Sequence, residues 1–564
     1  MESSTVLIIG GSLVGLAQAV FLAQHGVETV LVERRGRVSP HPRARGINPR
    51  TMELLEQAGV GEELRATESA RALAHNSGIV VAGTLAGPEI TRLERAYFMD
   101  TDADYSDYTP SSWCLCHQDE AEAVLAERAR ALGADLRFGT EADGFWQDAE
   151  GVTVTLRDAE TGTERPFRCD YLVAADGAGG DTRERLGIGT TGQGTLGHFL
   201  NISFRADLRE ALRDRRFVMC YLNALEERAA LLPVNNADRW LLHVACPPDE
   251  ARAKTTDSDE AGPGGVGGRP PSRSTEQCTD LVRRATGVPD LEVTVEAAIP
   301  WESAGRVAER LQEGRIFLVG DSAHVMPPSG AFGSNTGIQD AYNLAWKLAA
   351  VHRGHAGADL LATYDAERRP VAARTVEQAV LRSNDRPRVA AGQQEEAERP
   401  LLSDPDVIFG YTYPDAPGTR APHVVLQRDG AQISTVDLFG RDFVLLAGFG
   451  GEAWIDAARD AAQDLGVELT AYGVAETGER PRADIDVVDD PAGRWRDAYE
   501  VGQAGAVLVR PDGFVCWRSA DAAPGDERKI LGDALAVVTH RAQTAQAAQT
   551  AQAAQAAQTA GSGR

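Results

Sequence analysis

The chain is poor in the residues that mark several common protein classes. Its 564 residues hold only seven cysteines. These (Cys114, Cys116, Cys169, Cys220, Cys246, Cys278 and Cys516) are scattered. No C-x-x-C pair and no Cys/His metal spacing occurs, which excludes a disulfide scaffold or zinc module and fits reduced thiols in a cytoplasmic protein. Cys114-Leu115-Cys116 reads as small apolar residues of a strand. Positive charge is also scarce: 57 Lys and Arg against 83 Asp and Glu give a net charge of −26. That balance excludes a nucleic-acid partner, whose backbone demands clustered Lys and Arg. No apolar run is long enough to span a membrane, and no basic-then-apolar leader opens the chain.

What remains is a globular composition, 43% apolar and 25% charged, in a chain long enough for two or three domains. Thr5-Val6-Leu7-Ile8-Ile9 is a β-branched run of the buried parallel kind. It leads into Gly10-Gly11-Ser12-Leu13-Val14-Gly15, then a helical pattern, then Thr29-Val30-Leu31-Val32 ending at Glu33. This βαβ unit predicts a dinucleotide site: a tight turn, close approach to a pyrophosphate, and an acid for a ribose with a free 2′-hydroxyl, as in FAD or NAD. Ser12 replaces the middle glycine of the fingerprint. The following loop carries Arg43, Arg45 and Arg50, three candidates for neutralising phosphates.

Further on, residues 60–112 look irregular. A helix is predicted after His117-Gln118-Asp119, and the strand Asp170–Ala175 ends at Asp176-Gly177, with Arg183 following. Successive apolar runs over 198–250, without helices between them, predict an antiparallel sheet over a substrate pocket. Arg315–Val319 is another short strand, leading through Gly320-Asp321, Pro327-Pro328 and Gly330–Asn335 into a helix. Its cluster of backbone donors at a helix start suits an anion or a polar carbonyl.

Gly10–Gly15 with Glu33, Asp176-Gly177 with Arg183, and Gly320-Asp321 together resemble the class A FAD-dependent aromatic hydroxylases of the p-hydroxybenzoate hydroxylase fold. Ser111–Cys116 and Gly330–Asp340 are similar to the tetracenomycin- and anthracycline-type polyketide hydroxylases. A serine often found three residues after Asp-Gly is Gly180 here. The resemblance implies an FAD- and NAD(P)H-dependent monooxygenase. It would hydroxylate a polycyclic aromatic polyketide through a flavin C4a-hydroperoxide formed from dioxygen, in antibiotic biosynthesis. It implies that Gly10, Ser12 and Gly15 belong to the cofactor-binding turn, that Leu13 and Val14 pass under the diphosphate and that Glu33 holds the adenosine ribose. Arg43 would lie near the pyrophosphate, Gln118 and Asp176 against the FAD, and Ala142 at the adenine. Asp321 would take the ribityl chain, Pro328 the reactive edge, and Gly333, Ser334 and Asn335 the flavin ring. Tyr221 corresponds to a proposed proton acceptor. Only one dinucleotide fingerprint exists, so NADPH or NADH is expected as a transient co-substrate.

The expected architecture is α/β plus β. A Rossmann-like FAD-binding domain (1–190 and 300–390) is joined by an antiparallel-sheet substrate domain (75–112 and 191–299). A C-terminal thioredoxin-like domain (400–540) and a low-complexity tail (541–564) follow. The insert 255–274 reads as a surface loop and 386–401 as a linker. A cytoplasmic monomer or homodimer without a metal is expected. Baeyer–Villiger oxygenation of a related polyketide is an alternative. Another, of a different class, is a flavin-binding partner protein that does not turn over.

Overall fold

The computed structural model describes all residues except 40, 94–103, 249–272, 391–400, 415–417, 477–478, 480–481, 523–524 and 542–564. The expected surface insert and the low-complexity tail therefore fall almost wholly outside the described residues.

The first sheet is built on β1 (Glu2–Ile9), whose Val6, Leu7 and Ile8 are fully buried. Both faces are covered, as a parallel central strand requires. β1 pairs in parallel with β2 (Thr29–Glu33) on one side and with β6 (Glu164–Ala174) on the other. β5 (Asp135–Phe138) extends the sheet beyond β2, and β12 (Ile316–Leu318) beyond β6. The order therefore reverses at β1, and ligands of open α/β sheets bind at such a switch point. The helix α1 (Leu13–Gln24) is buried along most of its length. It packs against α5 (Phe332–His352), which is followed by α6 (Thr363–Ala390). Residues 386–390, expected to open a linker, belong instead to this helix, since Arg and Ala favour the helical state.

The second sheet has eight strands. In order they are β13 (His324–Val325), β11 (Thr294–Ala308), β7 (Thr190–Arg205), β10 (Arg239–Ala245), β9 (Ala229–Pro233), β8 (Met219–Leu222), β3 (Ile79–Ala82) and β4 (Glu89–Leu93). All neighbours are antiparallel except β8 and β3. One face carries Leu200, Ile202, Phe204, Leu231, Leu242 and Val244. It is sealed by Cys278, Leu281, Val282 and Ala285 of α4 (Thr275–Thr286). The other face is turned toward the first sheet. Residues 60–112, which looked irregular, contribute β3, β4 and the short helices Gly61–Arg65 and Glu68–Leu73. Elements of four to six residues are too brief to display a period.

The C-terminal unit is a mixed seven-stranded sheet. Its helices α7 (Glu452–Leu465) and α8 (Glu527–Val538) pack on one face through Trp454, Ile455, Leu531 and Leu535. The hairpin Ala506–Val509 with Val515–Ser519 turns at Pro511-Asp512-Gly513. This turn reaches into the first unit. Arg510 bonds Glu367 of α6 at 2.6 Å and Asp512 at 2.5 Å, and Lys347 of α5 bonds Glu367 at 2.7 Å, all buried.

Candidate active site

The nucleotide end begins where β1 stops. Gly10 has φ +105°, and a Cβ there would lie 2.3 Å from the Ala175 carbonyl oxygen. A Cβ on Gly15 would lie 1.9 Å from the Gly10 carbonyl oxygen. The glycines are therefore demanded by the backbone itself. The first backbone bond of α1 runs from the Leu16 N–H to the Ser12 carbonyl, 2.9 Å. The N–H groups of Val14 and Gly15 consequently have no intrahelical partner and aim out of the helix start, where an anion is favoured. Glu33 is buried at the end of β2. Its two oxygens accept from the Gly11 N–H (2.8 Å) and the Arg35 N–H (3.0 Å). Ala142 shares an apolar cluster with Ile9, one residue before the turn.

The three arginines separate. Arg45 is buried and donates to the carbonyls of Pro233 and Val218, across to the second sheet. Arg50 is buried and pairs with Glu53 and the Asp512 carbonyl. Both are structural, contrary to expectation, because the helix starting at Pro49 turns Arg50 inward. Arg43 alone is exposed. Its charge is felt by Glu122 and by Asp321, which lies on a different motif.

Asp321 opens the second turn of the site. It is solvent-accessible yet densely surrounded, and burial pushes its carboxyl up against the opposing pull of His324 and Arg43. Gly320 and α5 press on α1: a Cβ on Gly337 would lie 2.7 Å from Val14 Cγ2 and 2.9 Å from Gly320 Cα. Two sequence motifs thus meet at Val14. Asp176, of the remaining motif, is held to the Gly320-Asp321 turn: Ser322 Oγ donates to it at 2.6 Å, and the Thr182 N–H at 3.1 Å. A Cβ on Gly180 would lie 2.1 Å from the Asp176 carboxyl carbon, which accounts for the glycine at that position. Pro328 is exposed, and Ala331, with φ +54°, caps α5. Gly333 and Ser334 are half-buried on its first turn. Asn335 is buried; its side chain accepts from the Asn48 N–H and donates to the Gly46 carbonyl. It therefore ties α5 to the arginine loop.

The second sheet supplies the opposite wall. Asn201, His243, Ala230 and Tyr221 stand in direct cross-strand register on β7, β10, β9 and β8, and so share one face. Phe199 and Trp301 stack beside them at 4.9 Å. Asn201 Nδ2 lies 3.0 Å from His41 Nε2, on the arginine loop. That contact turns the row toward the nucleotide-binding unit.

Comparison with known proteins accords with this geometry. A family described as "FAD binding domain" matches residues 3–379, and one described as "Aromatic-ring hydroxylase, C-terminal" matches residues 415–542. The chain belongs to the FAD-dependent aromatic-ring hydroxylases. A Streptomyces halstedii protein assigned by name to the polyketide hydroxylases is 43% identical, covering 93% of this chain and 94% of the relative. The 4-methyl-5-nitrocatechol 5-monooxygenase of a Burkholderia species is 40% identical, over 95% and 97%. A crystal structure of aklavinone-11 hydroxylase with FAD and aklavinone superposes with a TM-score of 0.82 at 35% identity, covering 96% of this chain and 99% of that one. Within the family the chain falls with the polyketide hydroxylases. Two features escaped sequence reading. Glu122 is one helical turn beyond Gln118 but carries no motif of its own. The His41–Asn201 contact joins residues 160 positions apart, which no local pattern discloses.

Proposed function

We propose that the chain hydroxylates a polycyclic aromatic polyketide in antibiotic biosynthesis, taking electrons from NADPH or NADH and oxygen from dioxygen. FAD, when bound, would supply the redox chemistry of hydride acceptance and oxygen activation. The residues present suit it. Val14 and Gly15 offer backbone donors to the diphosphate, Arg43 its countercharge, and Glu33 a ribose acceptor once its backbone bonds yield. Gln118 and Asp176 steady the turn, Ala142 faces the adenine, Asp321 takes ribityl hydroxyls, and the Gly333–Asn335 backbone approaches the flavin ring beside Pro328. Tyr221 Oη receives or relays the phenol proton, making the substrate ring electron-rich where oxygen is delivered. The two apposed sheets exclude water from that step.

The observation that carries the substrate class is the row from Asn201 to Tyr221. It crosses three strand spacings, about 14 Å. A fused polycycle spans such a row; a single ring, as in the nitrocatechol relative's substrate, meets only part of it. Baeyer–Villiger oxygenation would use the same site and give a product with an altered carbon skeleton. The C-terminal unit is read as thioredoxin-like from its parallel strands Phe443–Gly448 and Leu469–Glu476 joined by α7, with an antiparallel hairpin and α8 following. Its one cysteine, Cys516, gives it no thiol pair. Free, mostly buried cysteines favour a cytoplasmic setting. Among the described residues no helix is long and apolar enough to cross a membrane.

The purified protein should be yellow, and an anthraquinone-type phenol should accelerate its oxidation of NADPH. A colourless protein, or consumption indifferent to the phenol, would overturn the proposal.

A further inference from the structure

The fingerprint's missing middle glycine has a counterpart elsewhere in the chain. Ser12 is the N-cap of α1 but makes no capping bond with its own helix. Its hydroxyl instead donates to Glu122 Oε1 at 2.6 Å. The Leu13 N–H donates to the same oxygen at 3.1 Å. Gln118 Nε2 donates to it at 2.6 Å and to Ser12 Oγ at 2.9 Å. The Gln118 amide is oriented by its other end, where Oε1 accepts from the Ala44 N–H at 3.2 Å. Glu122 is completely buried on α3 (Gln118–Ala131), and its Oε2 has no hydrogen-bond partner among the described residues.

This distribution is informative. An ionised carboxylate shares its charge over both oxygens and attracts donors to each. Here Oε1 takes all three and Oε2 none. That leaves Oε2, buried and without a partner among the described residues, as the oxygen open to a proton while Oε1 accepts. Burial raises the Glu122 carboxyl in the same sense, although Gln118, Ser12, Arg43 and the Leu13 N–H draw it down. The charged groups facing it are Arg43 and Arg35, both on the loop after β2. The turn before α1 presents the uncharged Ser12 and Leu13, and α3 itself presents Gln118. A second anion placed beside a diphosphate would oppose it, whereas a neutral acid would not.

We propose that Glu122 is a positioning residue of the diphosphate seat, gripping Ser12, Leu13 and Gln118 through one oxygen and acting as the neutral acid when the cofactor is bound. It consumes the Leu13 N–H and leaves those of Val14 and Gly15 for phosphate. Serine at position 12 becomes a working part of the seat, because a glycine there would give Glu122 no hydroxyl to hold. Ionisation of Glu122 would set a ceiling on the pH at which FAD binds tightly.

The inference rests on the FAD reading of the site, and the experiment separates the two. Apo-protein is titrated with FAD across neutral to alkaline pH, following flavin fluorescence and, by calorimetry in buffers of different ionisation enthalpy, proton uptake. Wild-type affinity should fall as pH rises, with proton uptake appearing in the same window. Glu122→Gln keeps the shape and the neutral charge; it should bind FAD with a flat profile and no such uptake. Glu122→Ala should bind about tenfold more weakly or worse at every pH, the cost of lost hydrogen bonds in a buried cluster. Thermal unfolding of the apo-variants establishes that each is folded. Glu122→Gln as weak as Glu122→Ala, or sharing the wild-type pH profile, would overturn the proposal, as would unimpaired binding by Glu122→Ala. A wild-type protein that binds no FAD would instead overturn the reading of the site.

Discussion

Tyr221 and Asn201 stand on one row of one sheet, yet they make different demands on a bound phenol. Asn201 lies against His41, and its amide has no proton to exchange with a phenol. Tyr221 has the hydroxyl that can exchange a proton. Tyr221→Phe should therefore retain FAD and lower hydroxylation by about a hundredfold, the lower range for loss of an acid–base group. Single-turnover product yield checks it, and unchanged turnover would remove Tyr221 from the chemistry. Three histidines give a pH prediction. Burial, with nearby arginines adding to it, lowers His25 and His41 from 6.5 to about 4 and His117 to about 3. Each stays neutral in the fold and takes up a proton on unfolding below pH 6.5, so the unfolded chain binds more protons in that window. Their stabilisation is whole above 6.5 and is lost as pH falls toward 4, at ~1.4 kcal/mol for each unit of depression. The melting temperature should drop over that range, and His41→Gln should flatten the drop. At this scale the sequence was legible where a backbone constraint chooses the residue. Gly10 and Gly15 could be read because a tight turn tolerates little else. Arg45 and Arg50 were misread because a charge that is paired inside looks the same in sequence as one that awaits a phosphate.

The helices α1 and α5 form the junction between the Gly10–Gly15 turn and the Gly320-Asp321 turn. They meet where Gly337 faces Val14 and Gly320 at distances no side chain can enter. Gly337→Val should push α5 off Gly320, cost about 1–3 kcal/mol by overpacking, and weaken FAD binding more than Asp321→Asn does. Flavin fluorescence on dilution measures the release; equal retention would show that the junction does not set the site. Asp340 of α5 braces the same place. It accepts from the Gly320 N–H at 3.3 Å and pairs with His324 at 2.6 Å and Arg368 at 2.8 Å. Burial pushes its carboxyl up, but Arg368 and His324 together hold it below its usual value. The periodicity of α5 and the glycine-dense turn before it were legible. Its partners were not, because Arg368 and His324 reach Asp340 from different elements.

Across the whole molecule, the C-terminal unit is bolted to the cofactor unit by buried charge rather than by an apolar seam alone. Arg510 and Asp512 at the hairpin turn meet Lys347, Glu367 and Asn343 of α5 and α6. Burial brings Lys347 down to about 8 against the pull of Glu367. Removing one member leaves the others buried and unpaired, so Arg510→Met should cost about 3–5 kcal/mol and lower the melting temperature of both units together. Separate melting of the C-terminal unit alone would contradict that coupling. The hairpin and its Pro-Asp-Gly turn were legible from residues 506–518, whereas the destination of that turn was not. The central claim is the reaction itself, oxygen transfer to a fused polycyclic phenol. The protein, NADPH and ¹⁸O₂ are incubated with an anthraquinone-type polyketide and, separately, with a single-ring catechol, and the products are weighed by mass spectrometry. One ¹⁸O atom gained by the polycycle with its carbon skeleton intact, and little by the catechol, is the predicted result. No incorporation, incorporation only into the catechol, or a rearranged skeleton would contradict it.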